Sequence, residues 1–423
     1  MELILYTLRM VSYAIIDPMH IILIIGFGII FYFRNRRISF IQKVTMGEYI
    51  NSPMELTLSQ IALGIIAGAI ISIILSSLGV IFYENSGIEI LFFISVMLLF
   101  LKKRFFTFSY SAAILGALSI VSTIIADISN TQVYLNVNIL YLMTFVAVFN
   151  IVEGLLILFD GSRGAIPVFT NRGAKIVGGF SYSRNWAMPI AIFIAITSNV
   201  STAYTSLMET ENWWPLINRE EGLSILALSV IAAMPLYCIS SYKAVSFTRR
   251  KKITPMYSGV GKIIYGIILV VLANIFSTGI IGQIVVVVFT SLGYELLIRI
   301  QQKLENKGEC LYITDENGVS VLEVVPNSQA YLCGFREGDK ILEVNEKKVV
   351  SEVEVFKQFK ENISEISFKV KKISGEIVDL KLLPKKKVLG ILLVPRMVEK
   401  NEKLKIDDES FKEILEEMKK KKF

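Results

Sequence analysis

The chain has 423 residues, 53% of them hydrophobic and 19% charged, with a formal net charge of +7 and a mean hydropathy of +0.57. Soluble domains carry about a quarter charged residues, so this composition excludes a wholly cytosolic or secreted globule and indicates a polytopic membrane protein. Residues 1–298 hold 19 Lys/Arg against 14 Asp/Glu and residues 299–423 hold 25 against 23, so most of the excess cation lies in loops of the apolar part, where it reports topology and does not imply a nucleic-acid partner.

Residues 2–15 are apolar but interrupted by Arg9, which fits an interfacial helix. With no basic n-region and no A-x-A-like site, no removable signal peptide is expected. Apolar runs then predict nine helical spans, at about 17–33, 58–81, 88–101, 106–126, 139–159, 186–208, 222–242, 260–277 and 280–298. The third is short for a bilayer. The span count becomes seven if the last hairpin is re-entrant. Every second loop is basic: Arg34, Arg36, Arg37 and Lys43; Lys102, Lys103 and Arg104; Arg163, Arg172, Lys175 and Arg184; Lys243 and Arg249 to Lys252. The positive-inside rule therefore puts the N-terminus outside and the C-terminal part in the cytosol of a multi-pass cell-membrane protein. Trp186 opens the sixth span and Trp213 and Trp214 sit on the outer loop after it, at levels where tryptophans serve as interfacial anchors; the alternative is a ligand-stacking role.

Glu153 is the one carboxylate read well inside a span, about 9 Å from its basic end, with Asn150 one turn earlier on the same face. Two readings stand: structural glue, bonding to another helix through residues such as Asn199 or Asn274, or an ion path or partner site. The stretch from Asp160 to Asn185 reads as a basic, glycine-rich cytosolic loop. Its cations either bind anionic lipid headgroups or only signal topology. His20 is the sole histidine, and there is no H-E-x-x-H, G-x-S-x-G, P-loop or EF-hand pattern. Neither a zinc protease nor a Ser-His-Asp hydrolase can be assembled. The three cysteines give no disulfide framework. No enzyme activity, cofactor or metal is expected.

Residues 309–397 switch to short alternating strands and two short helices. Ser328 is placed to cap a one-to-two-turn helix that Gly334 ends. Ser351 with Glu354 forms a capping box opening a second helix to about Asn362, whose apolar face is Val353, Phe356 and Phe359. Residues 366–370 and 377–383 form a hairpin around Ser374-Gly375, and residues 388–394 supply a last strand. From residue 407 the tail carries Phe411, Ile414, Leu415 and Met418 at helical spacing, with Lys419–422 at its end. Such a helix could dock a partner or pack on the module or bilayer.

The runs GVSVLEVVPNSQA (318–330) and LCGFREGDKIL (332–342), followed by Asn345, resemble a bacterial PDZ domain. Cys333 stands where that family has Ala, and Glu346 where it has Gly. The resemblance implies a peptide added as a strand beside a helix, with Leu389, Gly390, Ile391 and Leu392 forming the strand and carboxylate loop, and Val353, Phe356 and Phe359 the helix wall. The bland alternative is that these side chains fill the core. The whole layout, with the stretches VEGLLIL (152–158) and GGFSY (178–182) running on to Trp186, resembles the MinJ family of Gram-positive membrane scaffolds. That implies cell-division site placement, bridging DivIVA to Min proteins, with homo-oligomerisation left open. The expected organisation is an α-helical polytopic membrane domain (1–298), a linker (299–308), an α+β PDZ-like domain (309–397) and a charged amphipathic helical tail (398–423). The alternatives are a relative of PDZ-containing membrane proteases without catalytic motifs, or a transporter or signalling receptor with a PDZ regulatory module.

Overall fold

The structure is a computed structural model that describes residues 2–101, 107–172, 175–196, 213–217, 230–276, 279–361, 365–384 and 389–396. The tail from 398, Val388 and Asn199 lie outside the described residues. The chain divides into two compact units, the first made of Met1–Val168 with Gly179–Leu311 and the second of Phe169–Gly178 with Tyr312–Phe423.

The first unit is built on helices α1 (Glu2–Ile16), α2 (Pro18–Met46), α3 (Pro53–Leu78), α4 (Ile90–Leu101), α5 (Phe108–Ser129), α6 (Ile139–Asp160), α7 (Ile253–Phe276) and α8 (Ile280–Lys307). Among the described residues α3, α5, α6, α7 and α8 are each long and apolar enough to cross a membrane, and the bent pair α1–α2 makes a sixth if it acts as one span. Local chemistry sets several helix starts. The Ser52 hydroxyl accepts from the Glu55 N–H at 3.1 Å, with Pro53 opening α3, and Thr107 and Asn138 cap α5 and α6. α6 is buried along nearly its whole length.

The expectation of nine helical spans fails at the sixth and seventh. Lys175–Ile196 is a strand, β3, and Val230–Ser246 is a strand, β4; they pair antiparallel from Phe180–Ser246 to Ile196–Val230. A short strand β1 (Ile81–Tyr83) joins β3 in parallel, and Ile166–Arg172 forms β2, so the presumed basic loop from Asp160 is largely extended chain. Hydropathy reports length and apolarity only, and both segments pass that test. The signals for strand are Pro189 and Pro235 in mid-segment and the β-branched and aromatic residues around them. Both prolines occupy tolerable positions. The Phe247 N–H donates to Glu305, away from β3, at 2.7 Å. Alternation therefore turns the odd-numbered β4 residues, Pro235 included, outward. By the same register the odd β3 residues face away from β4, and Pro189 is one of them.

A ribbon buried among apolar helices must have its backbone groups satisfied. On the β3 side α3 does this. Ser72 accepts from the Ala191 N–H at 2.9 Å. Gly64 and Gly68 lie so close to the strand that a Cβ on either would sit 2.1 Å from the Ala187 or Pro189 carbonyl oxygen. Glycines at i and i+4, followed by Ser72, let the helix lie directly on the strand edge.

The second unit is a sheet ordered β10-β9-β7-β6-β11 with β8 beside β7. Its strands are β5 (Tyr312–Ile313), β6 (Val319–Val324), β7 (Lys340–Val344), β8 (Lys347–Lys348), β9 (Ile366–Lys371), β10 (Ile377–Leu382) and β11 (Ile391–Leu393), and its helices α9 (Gln329–Cys333) and α10 (Glu352–Glu361). Both helix starts form as the sequence reads. Ser328 accepts from the Tyr331 N–H, and Gly334 ends α9 at φ +106. At α10 Ser351 accepts from the Glu354 N–H at 3.4 Å, and the Glu354 carboxylate reaches past Ser351 to the Val350 N–H at 2.9 Å. Asn345 and Glu346 both have positive φ (+49 and +62), giving a two-residue type I′ turn that holds a Glu where Gly is favoured. Two boundaries differ from expectation. Residues 299–307, read as a linker, are the last turns of α8. The unit also takes in residues before it in sequence, since Val177 and Gly178 pair with Ile313 and Tyr312.

Candidate functional site

In the second unit, β11 is the end strand of its sheet. The Val325 N–H donates to the Gly390 carbonyl at 2.9 Å, and the Val394 N–H to the Ser320 carbonyl at 2.9 Å. Positions 390, 392 and 394 thus bond towards β6, and Ile391 and Leu393 turn their N–H and C=O to the outer edge. Gly390 has φ +78, and a Cβ there would lie 2.3 Å from Ser328 Cβ. The Ala330 N–H also donates to Leu389 O at 3.3 Å. The Leu389-Gly390 corner is therefore strapped to the start of α9, and Gly390 is required by Ser328 rather than by anything outside the chain.

The helix wall divides. Phe359 is buried in one core cluster with Leu389, Ile391, Leu393 and Val355, and Phe356 is half-buried against it. Val353 is 67% exposed and stands away from that cluster. The inward stripe of α10 is Val355 and Phe359, one turn apart. Of the three wall residues, Phe356 is the one at the border of core and surface. Leu392 is half-buried. Glu352 accepts from the Arg396 N–H at 3.3 Å, which ties the start of α10 to the chain just beyond β11. Elsewhere in this unit, Asp315 is pushed up by partial burial, but the hydrogen bonds from Lys340 (2.7 Å) and the Asn317 N–H (2.8 Å) and the charges of Lys340 and Lys175 outweigh it. Its carboxyl is left below the usual range. Burial raises the Cys333 thiol, against the pull of Lys372.

In the first unit Glu153 is 5% exposed and Asn150 2%. Glu153 meets the Lys262 ammonium of α7 at 2.5 Å and accepts from the Ser240 hydroxyl of β4 at 2.5 Å. Asn150 donates to Ser109 at 3.2 Å and to the Val146 carbonyl at 2.8 Å. α6 and α7 touch at Gly154 and Gly259, where a Cβ on either would sit 2.7 or 2.6 Å from the other's carbonyl oxygen. That close approach brings Glu153 within reach of Lys262. Asn274, considered as a partner, donates to Val270 on its own helix.

Sequence reasoning passed over Lys262. Its signal was present, as a lysine inside a predicted span. A second buried cluster was also missed. Arg184, 1% exposed, pairs with Asp160; its Nε donates at 2.8 Å, and the Trp186 Nε1–H donates to the same carboxylate at 3.0 Å. Trp186 is fully buried and not an interfacial anchor, and Trp214 is buried with its Nε1–H on the Ser76 carbonyl, while Trp213 is half-exposed. Arg184 is likewise withdrawn from any lipid headgroup. His20 Nδ1 lies 3.0 Å from an Asp17 carboxylate oxygen, and its ring tilts over Tyr237. No protein-family model matches the chain, and no curated protein matches it.

Proposed function

We propose that this chain is a membrane-anchored scaffold whose C-terminal α+β unit binds an extended partner peptide by strand addition to β11, as PDZ domains do. The observation that carries the reading is the outer edge of β11, where Ile391 and Leu393 present backbone donors and acceptors. Partly buried Phe356 supplies an apolar border. The resemblance to the MinJ family extends this to division-site placement, with a DivIVA-type protein and Min proteins as partners and the peptide-binding unit in the cytosol.

The test uses the full chain in cells. Ile391→Pro removes the outward N–H and leaves the bonds to β6, since proline is tolerated at such edge positions. The variant should reach the membrane at wild-type level and lose co-purification of the DivIVA-type protein by at least about tenfold, or 1.4 kcal/mol. In the same cells a cysteine at Lys347 should resist a membrane-impermeant maleimide while one at Trp213 reacts. Unchanged co-purification refutes the β11 site, and the reverse labelling refutes the cytosolic placement.

A further inference from the structure

The sheet of the second unit has two end strands, β11 at one side and β10 at the other. β10 pairs with β9 from Ile377–Lys371 to Leu382–Ile366. The Lys372 N–H donates to the Glu376 carbonyl at 2.8 Å, which makes 372 and 376 a bonded pair in the same ladder. By alternation, residues 378, 380 and 382 bond to β9, and Ile377, Asp379 and Lys381 turn their N–H and C=O outward. The Cys333 thiol donates to the Lys381 carbonyl at 3.1 Å, as that direction requires, and leaves the oxygen a second lone pair. Among the described residues no strand pairs with this side of β10. Ile377, Asp379 and Lys381 are exposed, and so is Leu383 just beyond the strand, whereas Val378 and Leu380 are half-buried and Leu382 is buried. Pro384, which has no N–H, ends the series.

An exposed edge of this kind is complementary to another strand, and its side chains decide which strand. Directly opposite residues of an antiparallel pair share a face; opposite charges there attract and like charges repel. Outward groups must meet outward groups, so a second copy of β10 can lie against the first about Asp379, Leu380 or Lys381 while most of residues 377–383 stay paired. About Leu380, Asp379 of each copy faces Lys381 of the other. In the same register Ile377, 54% exposed, faces Leu383, 57% exposed, at both ends. Moving the axis by one residue puts Asp379 against Asp379, or Lys381 against Lys381. One register is therefore matched in both charge and apolar surface, and its two neighbours are repelled. We propose that β10 is a self-association edge, through which two copies of this chain pair antiparallel over residues 377–383 about Leu380. β11, at the far side of the sheet, stays open in both copies.

The experiment uses two populations of the full-length protein in dodecyl maltoside micelles, one tagged with a donor fluorophore and one with an acceptor, and follows energy transfer against concentration. Saturable transfer is expected. Asp379→Lys turns both cross-copy ion pairs into Lys–Lys contacts, and Lys381→Asp turns both into Asp–Asp contacts. Each variant alone should self-associate at least about tenfold more weakly than wild type. Asp379 also stands opposite Lys369 in its own sheet, so mixing separates the interface from a folding defect. An Asp379→Lys population mixed with a Lys381→Asp population has Lys facing Asp at both positions and should associate to within about threefold of wild type. Raising the salt should weaken the wild type and strengthen the single variants, since screening removes attraction from the one and repulsion from the others. Ile391→Pro, at the opposite end strand, should change nothing. Absence of saturable transfer overturns the proposal, as do single variants that associate like wild type or a mixture no better than the variants alone. Loss of transfer in Ile391→Pro assigns the contact to β11 and overturns it too.

Discussion

Glu153 and Lys262 form a buried ion pair whose two members have different surroundings. Removing one partner of a buried pair leaves the other charge uncompensated, at a cost of about 3–5 kcal/mol, whereas replacing both by apolar groups of similar volume is close to neutral. Here the two single losses should differ. Lys262 lines an open cavity of about 730 Å³ among β4, α7 and α8, so when Glu153 is neutralised water can reach its ammonium. Glu153 is not part of that lining, and without Lys262 it keeps the Ser240 hydroxyl as a donor. Lys262→Met should therefore fall in the upper range, about 3–5 kcal/mol, and Glu153→Gln should cost only about 1–3 kcal/mol, in the range of an imperfectly satisfied buried group. The double variant should be more stable than Lys262→Met alone, because the orphaned carboxylate is gone. Thermal melts of the full chain in one detergent, read as a double-mutant cycle, measure all three. Additive losses, or a Glu153→Gln variant worse than Lys262→Met, would refute the argument that the cavity solvates the lysine.

Two further outcomes follow from the second unit. Gly390→Ala should destabilise it by about 2–5 kcal/mol, combining a left-handed φ of about 1–2 with overpacking against Ser328 of about 1–3. Adding Ser328→Gly should recover only the overpacking share, and full recovery, read by hydrogen exchange of the β11 peptide, would show that φ carries no cost. Because the Asp315 carboxyl is held below its usual range, it contributes stability above that range, and this is lost as pH falls through its lowered value. Exchange protection at Asn317 and Gly318, corrected for intrinsic rate, should decline over that acid window in wild type and be flat in Asp315→Asn; an equal decline in both removes Asp315 as the cause.

Legibility followed the range of the interactions. The α9 cap at Ser328, the Gly334 stop and the Ser351 capping box are contacts within four residues, so the sequence displays them directly. Long apolar helices such as α3 and α6 are legible for a similar reason, since length and hydropathy suffice. The ribbon was not, because apolarity is common to a spanning helix and to a strand enclosed by helices, and only Pro189 and Pro235, with the β-branched and aromatic residues around them, hinted at the difference. The contact of Gly64, Gly68 and Ser72 on α3 with strand backbone is likewise a tertiary feature. Glu153 was visible as a buried carboxylate, but its partner depends on the Gly154–Gly259 contact between α6 and α7, which no local pattern reports. On α10 one of the three expected face residues differs: helical spacing groups Val353, Phe356 and Phe359 about as well as Val355, Phe356 and Phe359, and packing into the core decides for Val355 over Val353.

The second unit is discontinuous in sequence, and this bears on how its peptide edge can be studied. Val177 and Gly178 pair with Ile313 and Tyr312, and a Cβ on Gly178 would sit 2.9 Å from Val394 and 3.1 Å from Leu322. Val394 directly follows β11, and Leu322 lies in β6, the strand that holds β11 in register. Thr314, next to β5, is bound to the same point: its hydroxyl donates to the Val394 carbonyl at 2.5 Å and accepts from the Ser320 N–H at 3.1 Å. A fragment that begins near residue 305 keeps every residue of the β11 edge but lacks the strand segment packed on Leu322 and Val394. It would leave β5 without its antiparallel partner and uncover side chains that position the end of β11. Loss of binding in such a fragment would therefore report the missing segment as readily as a wrong site, which is why the substitution at Ile391 belongs in the full chain.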